Sequence, residues 1–151
     1  MPDDEYQKYE QACKRIKKDN AKLLEQFDQW LSGKGLAQKT VQRHVENADF
    51  YINTFLLSED AIPAKDGASH ISMFLGYWFI RKAMWGSPSA IRENAASLKK
   101  FYTFMREQGQ IDPDELQDLK ETITEKMPEW VGTLERYVDP DITDPKKIWE
   151  L

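Results

Sequence analysis

The lysines and arginines best placed to bind an anion in this 151-residue chain recur at the spacing of an α-helix. Arg92, Lys99 and Arg106 are each seven residues apart, so a helix would place them along one side, with Lys100 beside them. The residues between them include small and hydroxyl-bearing types that would not hold a nucleic-acid backbone away. The pattern favours a phosphate-binding ridge, and the alternative is an ordinary solvated helix face.

Three aromatic residues stand among these cations, in the stretch SLKKFYTFMREQG. Aromatic side chains beside cations can stack on bases, or they can pack in a core. Tyr102 falls on the apolar stripe of the same helix and Phe101 falls on its edge. The stripe comprises Ile91, Ala95, Leu98, Tyr102 and Met105. The spacing therefore predicts that the aromatic residues hold the helix against the core while the cations face outward.

The sequence lacks the motifs of common catalytic sites, such as a Gly-rich phosphate loop, HExxH or a nucleophile elbow. Cys13 is the one cysteine, so it has no disulfide partner in the chain, and it forms no zinc-ligand spacing with His44 or His70. Each histidine is predicted to be structural, with a ligand or base role as the alternative. The carboxylates of the last third recur on helical faces, as on a solvated surface. We expect no cofactor, no metal and no enzymatic activity.

Charge is unevenly distributed along the chain, whose formal net charge is −5. Residues 14–45 carry eight Lys or Arg against three acidic residues, and residues 81–106 carry six against one. The last segment, 107–151, has a net charge of −8. Because the local potential steers binding, the acidic total does not exclude an anionic partner.

No segment resembles a membrane span or a signal peptide. The apolar stretch HISMFLGYWFI is too short to cross a bilayer before Arg81 and Lys82 follow it. The chain opens with MPDDEYQKYE, which lacks the apolar run of a signal peptide. These features predict a cytoplasmic protein with no membrane partner.

Apolar residues recur with a helical period, and the chain has only seven glycines and seven prolines. The predicted fold is all-α, a compact bundle of four to five helices with an extra C-terminal helix. The first helix spans about residues 4–31, and a break near Asn20 is left open. Thr40 is the predicted N-cap of the second helix. Its buried stripe is predicted to comprise Val41, Val45, Ala48, Ile52 and Phe55.

The third helix, residues 68–85, is apolar almost all round and is therefore predicted to be the central, most enclosed element. Ser87 is the predicted N-cap of the fourth helix, which Gly109 ends. The stretch DPDELQDL opens a fifth helix with acidic residues in its first turn, and Pro128 restarts or kinks it. The tail, residues 139–151, is predicted to be extended.

Two segments resemble a known domain. LLEQFDQWLSGKGLAQKTVQRHVENADFYINTFL is similar to the first two helices of the N-terminal core-binding (SAM-like) domain of tyrosine recombinases of the phage-integrase type. SLKKFYTFMREQGQI is similar to the last helix of that domain, where aromatic residues follow a Leu-Arg pair and precede a Gly. The similarity covers about residues 20–112. The matching residues are Leu23, Phe27, Trp30, Leu31, Gly35, Leu36, Thr40, Ile52, Phe55 and Leu56, then Leu98, Lys99, Phe101, Tyr102, Phe104, Met105, Gly109 and Ile111.

The resemblance implies that residues 1–111 form a helical domain that lies across the major groove of double-stranded DNA, touching it with the second and fourth helices. Residues 112–151 would form an acidic C-terminal helical extension and tail. Resemblance and charge together predict a DNA-binding set of Lys34, Lys39, Thr40, Gln42, Arg43, Arg92, Lys99, Lys100 and Arg106. In this set Lys34 and Arg106 come from the charge pattern alone. The chain departs from the family at His44, where Tyr is common, and at Glu93 and Asn94, where Arg is common.

The catalytic domain of that family has no counterpart here, because only about forty residues follow the fourth helix. The resemblance therefore implies a non-catalytic DNA-binding module linked to DNA recombination and integration, with a recombinase or another protein as a further partner. Met1 and the divergent C-terminal helix favour a stand-alone module. The alternative is a helical protein-interaction module that kept the fold without DNA binding, using exposed aromatics such as Trp130 or Trp149. Acidic residues of the fifth helix folded across the basic face would favour this alternative or an autoinhibited DNA-binding module.

Overall fold

The computed structural model describes residues 2–82 and 86–149, with side chains from residue 4 onward. Within these ranges all regular structure is helical, which confirms the predicted all-α class. The helices are α1 (Pro2–Gly33), α2 (Gln38–Asp49), α3 (Ile71–Met73), α4 (Phe79–Lys82), α5 (Pro88–Glu107), α6 (Pro113–Val138) and α7 (Pro145–Trp149). The shorter elements are two π-helical turns, Phe50–Phe55 and Phe74–Trp78, and two 3₁₀ turns, Ala64–Asp66 and Ala68–His70.

α1 is one uninterrupted helix, so it does not break at Asn20. The Asn20 side chain is buried, and its amide donates hydrogen bonds to the Ile52 carbonyl oxygen at 3.3 Å and to Asn53 Oδ1 at 2.8 Å. This polar residue therefore joins α1 to the next helical segment. After α1 the chain turns at Gly35, whose φ of +81° is costly for a residue with a Cβ atom.

α2 begins at Gln38, so the prediction of Thr40 as its N-cap is wrong. Ala37 has the extended backbone of an N-cap, and its carbonyl oxygen accepts a hydrogen bond from the Val41 N–H at 3.0 Å. Because alanine has no polar side chain, no side chain caps the helix. The turn at Gly35 has already redirected the chain, and Thr40 lies half-buried in the first helical turn.

The π-helical turn Phe50–Phe55 follows α2 without a break and widens its buried face. The stripe predicted for this helix, from Val41 to Phe55, is confirmed as buried or partly buried. Tyr51 and Ile52 both face the core, since they follow the buried Ala48 by three and four residues. The Tyr51 hydroxyl donates to the Gly67 carbonyl oxygen at 2.6 Å, which satisfies this buried polar group.

The 71–82 helix consists of α3, a π-helical turn and α4 in succession. Phe74 is fully buried in an aromatic cluster, as predicted for a central helix. The predicted all-round enclosure is wrong, because Met73 and Tyr77 are 56% and 41% exposed on the outer side. Residues 83–85, which belong to the predicted helix, lie outside the described residues.

α5 begins and ends where the sequence predicts. Ser87 Oγ accepts a hydrogen bond from the Ala90 N–H at 3.1 Å, and Pro88 occupies the first turn. Gly109, with a φ of +74°, follows the helix and stops it. These local signals work because they satisfy backbone groups at the two ends of the helix.

The apolar stripe predicted for α5 is confirmed, since all five of its residues are buried. Phe101 and Phe104 are buried as well, and their ring centroids lie 5.2 and 5.6 Å from that of Phe27 in α1. The aromatic residues of this helix therefore pack in the core, as predicted, and are not free to stack on bases.

α6 opens with a capping box in which the Asp112 side chain accepts a hydrogen bond from the Glu115 N–H at 2.9 Å. The helix runs through Pro128, so of the two predicted effects, a restart or a kink, the restart is wrong. Proline deprives the Thr124 carbonyl oxygen of its helical donor, but both residues are exposed and water can replace that donor. The residues through which α6 joins the core are Leu116, Leu119, Ile123, Trp130 and Leu134.

Two further predictions for the C-terminal region are wrong. Trp130, expected on the surface, is only 3% exposed and packs over Gly76 of the 71–82 helix. The tail is not extended throughout, because Pro145–Trp149 forms α7. Trp149 is partly buried, with its ring centroid 4.9 Å from that of Tyr77. The burial of Trp130 depends on a contact with a distant element, which has no local sequence signal. By contrast α7 begins with a local signal, because the Asp144 side chain accepts a hydrogen bond from the Lys146 N–H at 3.0 Å and Pro145 is the first helical residue.

Candidate nucleic-acid interface

A polar joint holds α2 against α5. His44 Nδ1 lies 2.8 Å from Ser97 Oγ, and the Asn47 amide donates to the same oxygen at 2.9 Å. His44 and Ser97 are both buried. Because hydrogen bonds need specific distances and angles, this joint sets the register of α2 on α5 and so the position of the charged side chains around it.

Cations of both helices surround the joint. Burial, followed by the charges of Lys100 and Arg43, lowers the pKa of His44, while Glu93 acts in the opposite direction. Arg43 Nη1 lies 4.0 Å from Glu93 Oε1, and both side chains are more than half exposed. Such a pair contributes little to stability and leaves Arg43 available to a stronger anion. The fold thus brings Arg43 of α2 and Lys100 of α5 to one place.

The predicted ridge of α5 lies on its outer side. Arg92 and Arg106 are exposed, and Lys99 is half-buried. Thr103, between them, donates its hydroxyl hydrogen to the Lys99 carbonyl oxygen at 2.7 Å, so that hydrogen is already engaged. In the described part of the chain, none of the α5 cations, Lys100 included, has a carboxylate within salt-bridge distance. Their charges are therefore not neutralised by contact with acidic residues of α6.

The start of α2 contributes a second group of predicted residues. Lys39 and Gln42 are exposed, whereas Thr40 is half-buried. The Gln42 amide donates to Glu46 Oε1 at 3.1 Å, one turn further along the helix. The N-terminus of α2, beside Lys39, has no side-chain cap, so no side chain of the cap residue satisfies its first backbone N–H groups.

Lys34 lies in the turn between α1 and α2. Its Nζ stands 4.4 Å from the centroid of the Trp30 ring, a cation–π contact. Trp30 in turn packs against Phe104 of α5, with ring centroids 5.9 Å apart. Lys34 is thereby positioned beside α5 by an aromatic contact, which the sequence did not indicate.

The sequence did not predict the joint between His44, Ser97 and Asn47. His44 was predicted to be structural, and its buried hydrogen bond confirms that, but its position also makes it sensitive to the charges at this surface. Ser97 and Asn47 were not singled out. The one signal that could have found them is a polar residue on the otherwise apolar side of each helix.

Three further features concern residues 2–82 and 86–149, which the structure describes. No group of three or more His, Cys, Asp or Glu among them could hold a metal ion. No helix among them has the length and apolar character needed to cross a membrane. Every buried side-chain nitrogen or oxygen in this part of the chain has a hydrogen-bond partner.

Comparison with known proteins adds no relative. No protein-family model, curated protein or solved structure matches this chain. The similarity to the core-binding domain of tyrosine recombinases therefore rests on the sequence motifs alone and stays a prediction.

Proposed function

We propose that this chain is a non-catalytic module that binds double-stranded DNA through a surface formed by α2 and α5, in a process of DNA recombination or integration. The observation that carries the proposal is the convergence of Arg43 and Lys100 on the buried His44–Ser97 joint, whose members are 53 residues apart in the chain. Two basic segments of an acidic protein thus contribute to one surface. Such clustering is the electrostatic pattern of phosphate binding.

Each group at this surface has a distinct task. Arg43 lies on α2 and Lys100 on α5, and the charges of both act on His44 in the joint. The two cations would therefore contact phosphates on either side of the joint. Lys39 would add to the partial positive charge of the uncapped α2 N-terminus, which favours a phosphate. Gln42 is exposed on the next turn and could exchange its bond to Glu46 for a base edge.

The ridge on the outer side of α5 would extend the contact along the DNA backbone. Arg92, Lys99 and Arg106 recur at intervals of seven residues, so they follow the helix axis in a row. Ala96 is exposed between them and leaves room for a backbone to approach. Lys34, held over Trp30, adds a further cation beside α5.

The experiment is fluorescence anisotropy of a labelled DNA duplex at several salt concentrations. Binding should weaken with salt at a logarithmic slope of about −0.9 for each phosphate neutralised. Arg43→Ala and Lys99→Ala should each weaken binding and reduce the slope by about one. Lys146→Ala, an exposed cation of α7, is the matched control and should change neither quantity. Absence of binding at low salt, or equal behaviour of the three variants, would contradict the proposal.

The non-catalytic part is tested separately with supercoiled plasmid. Its topology should stay unchanged on incubation with the protein, because the nucleophile and activating cations of the recombinase family have no counterpart in the matched segments. Nicking that disappears when a single tyrosine is changed to phenylalanine would show that the chain itself cleaves DNA.

A further inference from the structure

The large apolar side chains that remain exposed are not scattered over the surface. In the part of the chain that the structure describes, those with the greatest exposure are Tyr6, Met73, Tyr77, Tyr137 and Val138. Contacts described below link Met73 and the three tyrosines to one groove or to the aromatic residues at its ends. Single exposed apolar residues need no explanation, whereas a contiguous group marks an interaction surface.

The groove lies between the 71–82 helix and the segment that follows the π-helical turn Phe50–Phe55. It has a volume of about 420 Å³. Its apolar lining comprises Phe55, Leu56, Ile62, Met73, Tyr77 and Trp78. Trp78 is half-buried and packs against Phe55, with ring centroids 5.4 Å apart, so the floor of the groove is rigid and aromatic.

Aromatic residues continue the groove at both ends. At one end the Trp149 ring lies between Tyr77 and Tyr137, with centroid distances of 4.9 and 5.9 Å. At the other end the Tyr9 hydroxyl donates to the Leu57 carbonyl oxygen, and the Tyr6 ring lies 6.4 Å from that of Tyr9. The surface therefore extends from α1 past the groove to α6 and α7, and we call it the aromatic groove.

The rim of the aromatic groove is acidic. Glu59 and Asp60 line it and are exposed. Neither carboxylate has a Lys or Arg within salt-bridge distance among the described residues. Arg81 donates to the Tyr77 hydroxyl at 2.7 Å and stands over its ring. Exposed carboxylates beside an aromatic floor are complementary to a cationic, apolar ligand.

We propose that the aromatic groove binds an amphipathic segment of a partner protein that presents aliphatic side chains flanked by Lys or Arg. The aliphatic side chains would fill the groove above Phe55 and Trp78, while the cations pair with Glu59 and Asp60. A second copy of this chain would place the same acidic rim against itself in a two-fold contact, which like charges disfavour. DNA and anionic lipid are repelled by the same carboxylates. The proposal is independent of DNA binding by α2 and α5.

The test uses a synthetic helical peptide of about 14 residues, or four turns, with Leu along one face and Lys elsewhere. Binding is followed by NMR of the indole N–H signals in the ¹⁵N-labelled protein. The signals of Trp78 and Trp149 should shift on addition of the peptide, while that of the buried Trp130 stays in place. The control peptides are one with Glu in place of Lys and one with the same composition but no apolar face, and neither should bind.

Variants of the groove separate specific binding from general attraction to an acidic protein. Tyr77→Ser and Met73→Gln, both at exposed positions, should each weaken peptide binding by about tenfold. Glu59→Gln combined with Asp60→Asn should weaken binding and reduce its salt dependence. Glu121→Gln combined with Glu125→Gln, on exposed positions of α6, removes the same charge elsewhere and should have little effect.

Three results would overturn the proposal. The first is unchanged peptide binding in both the apolar variants and the acidic double variant. The second is a shift of the Trp130 signal without one at Trp78. The third is concentration-dependent self-association of the free protein that Tyr77→Ser abolishes, because a second copy would then occupy the groove.

Discussion

His44 Nδ1 lies 2.8 Å from Ser97 Oγ, although 53 residues separate them in the sequence. The hydroxyl of Ser97 has one hydrogen and two lone pairs, one of which accepts the Asn47 amide hydrogen. It can therefore donate to a neutral His44 ring or accept from a protonated one. The joint between α2 and α5 can persist whether the His44 ring is neutral or protonated. Protonation of His44 changes the charge of the surface above the joint.

The first prediction concerns stability against pH. Burial, Lys100 and Arg43 lower the pKa of His44 from its ordinary value of 6.5. His44 then becomes protonated at a higher pH in the unfolded chain than in the native protein. The contribution of His44 to the free energy of unfolding should consequently fall as the pH drops through about 6.5 and stop falling below the lowered native pKa. Urea unfolding between about pH 5 and pH 8 measures this slope.

The matched variants for this measurement are the two histidine substitutions. His44→Gln should remove the part of the slope due to His44, because glutamine keeps a hydrogen-bonding group but does not titrate. His70→Gln changes the other histidine of the chain and should retain that part. Identical pH profiles for the two variants would contradict the prediction.

The second prediction links pH to the proposed DNA binding. A phosphate held by Arg43 and Lys100 would offset their positive charge at His44 and raise its pKa, so binding should be accompanied by proton uptake. DNA affinity should then be higher at pH 5.5 than at pH 8. Anisotropy titrations at the two pH values measure the ratio. His44→Gln should reduce it and His70→Gln should not; loss of binding at both pH values would count against the proposed function itself.

The third prediction tests the apolar stripe of α5. Leu98 is fully buried, so Leu98→Ala should reduce the free energy of unfolding by about 2–5 kcal/mol. Lys120→Ala, at an exposed position of α6, should change it by less than about 0.5 kcal/mol. Chemical unfolding followed by circular dichroism gives both values. A loss below about 1 kcal/mol for Leu98→Ala would be inconsistent with a fully enclosed side chain.

The fourth prediction tests the contact between α6 and the 71–82 helix. A Cβ atom at Gly76 would lie 2.8 Å from the Trp130 ring, closer than packing allows. Gly76→Ala should therefore destabilise the protein by about 1–3 kcal/mol and alter the fluorescence of Trp130. Gly33→Ala is the control, because a Cβ atom there has no neighbour within 4 Å. It should be neutral or slightly stabilising at this helical position. Equal stability of the two variants would place Trp130 away from Gly76.

Some of the candidate surface could be predicted because it depends on local spacing. The exposure of Arg92 and Arg106 follows from the apolar stripe on the opposite side of the same helix. The partial burial of Lys99 and Thr40 could not be predicted in this way. How deeply a residue near the edge of a stripe is covered depends on the neighbouring helix, which a helical pattern does not identify.

The sequence was least informative about large apolar residues. Trp130 was expected on the surface and is buried, whereas Tyr77 belongs to the helix expected to be enclosed and is exposed. Both are large apolar residues on helices, and hydrophobicity alone does not say which side of a helix finds a partner. Trp130 is covered by its contact with Gly76, whereas Tyr77, the next residue along the chain, stays 41% exposed.

The sequence by itself determined the all-α class, the two ends of α5 and the buried side of that helix, because these depend on interactions within one or two turns of the chain. Only the tertiary structure decided that Arg43 and Lys100 converge on His44. It likewise decided that Tyr77 and Trp149 form one surface. Each of these contacts joins residues of different helices, and their distances are set by the packing of whole helix faces against one another.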